Sequence, residues 1–117
     1  MESNKLRIDY QLILDMVEPG ARVLDLGCGD GELLRLLREN KQANVQGIEL
    51  DETAIYSCVG KGLSVFHGDI ESGLIGYTPN AFDYVILNQS MQQVKKVDQV
   101  IQESLRIASR VIVGFPN

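Results

Sequence analysis

Tryptophan is absent from this chain, histidine occurs once and cysteine twice among 117 residues. Cys28 and Cys58 are too few and too irregularly placed for a disulfide framework or a zinc site, which points to a reduced, cytoplasmic setting. No apolar run approaches the roughly 20 residues that span a bilayer. The stretch from Met1 to Asp9 is polar and lacks a signal-peptide core. No membrane association is therefore expected. Positive charge is also scarce: 11 Lys and Arg against 16 Asp and Glu leave a net charge of -5, and the cations are scattered. Nucleic-acid backbones are held by clustered cations that displace condensed counterions, so DNA and RNA are not expected partners. Repeats, low-complexity tracts and linkers are missing as well, so residues 1–117 read as a single domain.

What is present is an alternation of short β-branched runs with longer helical ones. Ile8 to Val17 reads as an amphipathic helix carrying Ile8, Leu12 and Val17, with Ile13 and Met16 beside them, and Pro19-Gly20 ends it. Strands are expected at Arg22–Leu26, Val45–Glu49, Leu63–His67, Phe82–Leu87 and Val111–Phe115. Between them, Glu32–Asn40 and Glu52–Val59 read as helices. Val94, Val97, Ile101, Leu105 and Ala108 have helical spacing before the last strand. Near-continuous apolar strands separated by helices imply an α/β fold with a mainly parallel sheet covered on both faces. Right-handed crossovers make it a doubly wound sheet, in which ligands sit beyond the carboxyl ends of the strands.

The residues at those ends carry the functional signal. After the first strand come Gly27-Cys28-Gly29-Asp30-Gly31, where glycines permit positive φ and let a ligand approach the backbone. The helix that follows aims free N–H groups at the same place. A plain Gly-rich turn is the bland alternative. Dinucleotide binding is the nearest rival, but its G-x-G-x-x-G pattern requires glycine where Glu32 stands. Asp25 at the strand end would also face a pyrophosphate unfavourably, whereas a ligand with an ammonium group would favour it. S-adenosylmethionine carries an ammonium and a sulfonium and no phosphate. Glu49 ends the second strand, placed to accept hydrogen bonds from ribose hydroxyls, with Leu50 beside it. A helix-capping acid beside Asp51 and Glu52 is the alternative. Gly68-Asp69-Ile70 follows the third strand, where Asp69 would take the adenine amino group and Ile70 would flank the ring. Asn88 closes the fourth strand and would border the reacting methyl group. Each feature alone is weak, and their order along four successive strands matches one cofactor.

This set resembles the class I S-adenosylmethionine-dependent methyltransferase superfamily, whose motifs read D-x-G-x-G-x-G, an acidic second-strand end and a G-D after the third strand. Within it the chain resembles the MetW family of methionine-biosynthesis proteins. The stretches carrying that likeness are Arg22-Val-Leu-Asp-Leu-Gly-Cys-Gly-Asp-Gly-Glu-Leu-Leu34, Gly47-Ile-Glu-Leu-Asp51, Phe82-Asp-Tyr-Val-Ile-Leu87, Val113-Gly-Phe-Pro-Asn117 and the upstream Arg7-x-Asp9. The resemblance implies a Rossmann-like methyltransferase fold of strand order 3-2-1-4-5. It implies S-adenosylmethionine or S-adenosylhomocysteine held by Asp25, Gly27, Cys28, Gly29, Glu49, Leu50, Asp69, Ile70 and Asn88. A small-molecule methyl acceptor and an association with homoserine O-acetyltransferase are implied as well, so enzyme and cofactor-sensing regulator both remain open. The fold normally continues through two more strands, so the chain is expected to lack the last strands and to dimerise or aggregate through the edge of the fifth, or to fray from about Arg110 onward.

The other reactive side chains read as structural. Cys28 has no histidine neighbour and is expected to pack rather than attack, and His67 falls at a strand end rather than beside a nucleophile. Arg7 and Tyr10 could close over the methionine end of the cofactor, while Met91, Gln92 and Gln93 could form a pocket wall. Methyl transfer needs mainly alignment of a sulfonium with its acceptor, so no conspicuous acid–base pair is expected.

Overall fold

A computed structural model describes residues 8–88 and 94–114, and there the strand–helix alternation is laid out in chain order. The elements are α1 (Ile8–Met16), β1 (Arg22–Leu26), α2 (Glu32–Lys41), β2 (Asn44–Glu49), α3 (Glu52–Gly60), β3 (Val65–His67), β4 (Phe82–Asn88), α4 (Val97–Ile107) and β5 (Ala108–Gly114). The five strands form one sheet in the order β3-β2-β1-β4-β5, and every pairing is parallel. All carboxyl ends therefore lie along one edge.

Alternation of side chains across the sheet divides the core into two faces. On one face Val23, Tyr84, Ile86 and Ile112 meet Ile13 and Leu14 of α1, Val17 just after it, and Leu33 and Leu37 of α2. On the other, Leu24, Leu26, Ile48, Val85 and Leu87 meet Val100 and Ile107 of α4 together with Ile70 and Leu74 from the turns after β3. Those turns are tied to α4. Glu71 Oε1 accepts from the backbone N–H groups of Lys95 and Lys96 at 2.7 and 2.8 Å. Arg106 donates to the carbonyls of Tyr77 and Leu74 at 2.8 and 3.0 Å.

Two helical faces differ from expectation. From α1 the core takes Ile13 and Leu14, and Val17 just beyond its end, leaving Leu12 and Met16 exposed. In α4 it takes Val100, Ser104 and Ile107, while Leu105 is exposed. The hydroxyl of Ser104 bonds to the Val100 carbonyl at 2.7 Å, which satisfies it in the core. Ala108, placed by periodicity on the helix, is instead the first residue of β5. Within β5, Ile112 packs toward α1 and Val111 and Val113 toward the α4 side, so both faces are engaged. No strand pairs with the outer edge of β5 or β3 among the described residues.

Candidate functional site

Because β1 and β2 run parallel in register, the loop after β1 crosses the end of β2. The backbone N–H groups of Gly27 and Cys28 both donate to the Ile48 carbonyl, at 2.8 and 3.2 Å. The chain then turns through Gly29 (φ +58) and Gly31 (φ +86), both left-handed. Their reasons differ. A Cβ on Gly31 would lie 2.5 Å from Leu63 Cδ1 and 2.9 Å from Cys58 Sγ, so packing forbids it. A Cβ on Gly29 would meet nothing within 4 Å, so there the missing side chain leaves open space at the loop surface.

Glu49 braces this loop. Its Oε1 accepts from Gly29 N at 2.8 Å and its Oε2 from Asp51 N at 3.0 Å. A carboxylate has about four lone-pair positions, so two remain for other donors. The capping role belongs to Asp51, whose side chain accepts from Ala54 N at 3.1 Å. Glu49 is thus free of that duty.

Asp25 is opposite in character. It is 4% exposed, registered between Gly47 and Ile86, and among the described residues it receives no side-chain hydrogen bond. Burial, and then the nearby charge of Glu49, push its pKa from 3.8 up to about 8. Strand alternation puts Asp25, Glu49 and Asn88 on the same face of the sheet. Asn88 Nδ2 donates to Asp9 Oδ2 of α1 at 2.9 Å, a contact across 79 residues that no local pattern announces.

The remaining predicted residues separate by environment. Leu50 is 64% exposed between Glu49 and the end of β3. Asp69 is exposed, with Oδ1 accepting from Glu71 N at 3.0 Å. The Ile70 side chain, by contrast, is buried in the α4-side core, whereas that of Leu50 is exposed. Cys28 packs with Leu34, Cys58 and Leu63, its Sγ 4.0 Å from that of Cys58. Burial, followed by the charge of Asp25, raises the Cys28 thiol far above its ordinary range, which disfavours the reactive thiolate. Its contribution to the loop is shape and backbone. The His67 ring meets the Leu50 carbonyl at 3.1 Å. Tyr10 packs partly into the α1 core, while Arg7, Met91, Gln92 and Gln93 lie outside the described residues. A cavity of about 330 Å³ adjoins the site at Gly68, lined by Ile48, Phe66, His67 and Tyr77. None of Asp25, Gly29 and Glu49 lines it. Among the described residues no cluster of His, Cys, Asp or Glu could hold a metal ion, and no helix is long and apolar enough to cross a membrane.

Residues 7–117 match the family model of the methionine biosynthesis protein MetW. The chain belongs to the MetW family. It is 33% identical, over 96% of its length, to the bifunctional methionine biosynthesis protein MetXA/MetW of Rhodopirellula baltica, of which it covers 19%. It is 30% identical over 79% of its length to a demethylmenaquinone methyltransferase of Shouchella clausii, covering 42% of that protein. The MetW-family chain thus spans well under half the length of these curated relatives. Among solved structures, a SAM-dependent methyltransferase from Archaeoglobus fulgidus superposes with TM-score 0.75 at 24% identity, over 92% of this chain and 48% of that one. The [4+2]-cyclase SpnF superposes with TM-score 0.74 at 24% identity, over 85% and 39%. The fold is that of class I methyltransferases, and a chain described as a cyclase shares it, so fold alone does not fix the reaction.

Proposed function

We propose that this MetW-family chain binds S-adenosylmethionine or its demethylated product along the carboxyl edge of β1, β2, β3 and β4. The observation that carries the reading is the buried Asp25 carboxyl, which has no donor among the described residues and sits beneath an open glycine loop. A phosphate-bearing dinucleotide would place negative charge near it, whereas the ammonium of S-adenosylmethionine supplies the missing partner. Glu49 would hold the ribose hydroxyls with its remaining lone pairs, and Asp69 the adenine amino group. Leu50 would flank the ring with its side chain, and Ile70 would meet it with its backbone. Gly27, Cys28 and Gly29 would line the approach with main chain, and Asn88 would border the methyl group. The bound cofactor supplies an activated methyl on a sulfonium. The chain's part is to hold it, exclude water and align it with a small-molecule acceptor.

A second reading is favoured by the fused relative, in which MetXA and MetW are named together. In it the cofactor site senses S-adenosylmethionine or S-adenosylhomocysteine and regulates a homoserine O-acetyltransferase in methionine biosynthesis. Calorimetric titration tests the cofactor assignment: heat with S-adenosylhomocysteine and none with NAD is expected, and the reverse would overturn it. Methyl-transfer and acetyl-transfer assays, each with and without the acetyltransferase, then separate enzyme from regulator.

A further inference from the structure

The contact between Asp9 and Asn88 is unused by the cofactor reading. Asp9 stands in the first turn of α1, where a carboxylate is favoured by the helix dipole alone. The dipole explains an acid at that position but not its reach to the end of β4. An ionised carboxylate only accepts hydrogen bonds, so the amide nitrogen of Asn88 must face Asp9 and its oxygen must face away. That oxygen lies over Gly114, the residue registered with Asn88 on β5. A Cβ on Gly114 would run into Asn88 Oδ1, so glycine there leaves room for the Asn88 side chain, whose orientation is set by the bond to Asp9. Three elements therefore meet at one side chain.

We infer that Asp9 is a positioning residue that fixes the orientation of the Asn88 amide and latches α1 across the carboxyl ends of β4 and β5. The inference rests on the cofactor reading only for its consequence. If Asn88 borders the cofactor, the latch sets the rim of that site and couples the order of α1 to occupancy.

The test uses the whole chain, with S-adenosylhomocysteine titration and amide hydrogen exchange over residues 9–16 as readouts. Asp9→Ala and Asn88→Ala are each expected to weaken binding about tenfold, the loss of one charge-assisted hydrogen bond. Each also accelerates exchange in α1, and the double variant costs less than the sum of the two single ones, because both remove the same bond. Asp9→Asn, whose carbonyl oxygen still accepts from Asn88, is expected to bind like the wild type although it loses the charge that the dipole favours. Asn88→Asp sets two carboxylates against each other and weakens binding. Adding Asp9→Asn to it restores the bond with donor and acceptor exchanged, and affinity recovers. Additive effects of the two alanine variants, or no recovery in the exchanged pair, would overturn the latch. If the wild type takes up no S-adenosylhomocysteine while exchange in the free protein remains non-additive, the cofactor reading fails and the latch stands.

Discussion

Asn in place of Asp25 keeps the shape of the side chain and removes its charge, and the consequence depends on pH in a direction the structure dictates. The folded pKa of about 8 lies well above the ordinary 3.8. Between those values the folded chain holds a proton that the unfolded chain has released. Stability from this group is therefore complete below pH 3.8 and falls as pH rises toward 8, by up to about 1.4 kcal/mol per unit. The full window sets an upper bound of about 6 kcal/mol, and relaxation with water entry at the cleft reduces it to a few kcal/mol. Against a total stability of about 5–15 kcal/mol this is a large cost. Asp25→Asn should thus gain on the wild type progressively from pH 4 to 8. A gain of about 2 kcal/mol at pH 8 would raise the melting temperature by roughly 8 °C. Urea and thermal melts of both proteins at pH 4, 6 and 8 provide the assay. The same variant should bind S-adenosylmethionine far more weakly. Wild-type binding below pH 8 should release a proton, seen as a dependence of the heat on buffer. A stability difference that does not change with pH would refute the burial of an unpartnered carboxyl at this position.

Three further substitutions probe the loop. Gly29→Val should abolish cofactor binding, since its side chain would enter the open space at the loop, and it should also cost about 1–2 kcal/mol for a left-handed backbone; titration and melting read the two effects separately. Glu49→Ala should weaken affinity roughly ten- to a hundredfold by removing charge-assisted hydrogen bonds, and wild-type affinity would refute the ribose role. Gly47→Ala should destabilise the fold by about 1–3 kcal/mol, because its Cβ would lie 2.6 Å from Cys28 Sγ and 3.0 Å from Leu34 Cδ1; a denaturant midpoint unchanged from wild type would contradict that packing.

Parallel strands made most of the architecture legible. In Arg22–Leu26 and Asn44–Glu49 the apolar run and the acid or glycine that ends it lie together in sequence, so both the strand and its ligand-facing end could be placed. Helix faces were harder where apolar residues adjoin. Leu12, Ile13 and Leu14 offer two stripes, and packing against Tyr84 and Ile86 selects Ile13 and Leu14. In α4 a serine occupies a core position, its polarity cancelled by a bond to the preceding turn, so hydrophobic periodicity pointed to Leu105 instead. At the site, the identity of Asp25, Glu49 and Asp69 as strand-end acids was readable. The brace from Glu49 to Gly29, the inward turn of Ile70 and the Asp9–Asn88 contact were not, because each depends on elements brought together only by the sheet.

Amide chemical shifts recorded while S-adenosylhomocysteine is added to the isotope-labelled chain test the central claim residue by residue. The largest changes are expected at Gly27 to Gly31, at Glu49 and Leu50, and at Asp69 and Ile70, along the carboxyl ends of β1, β2 and β3. Saturating ligand with those amides unmoved, or with changes confined to the cavity beside Phe66 and Tyr77, would contradict it.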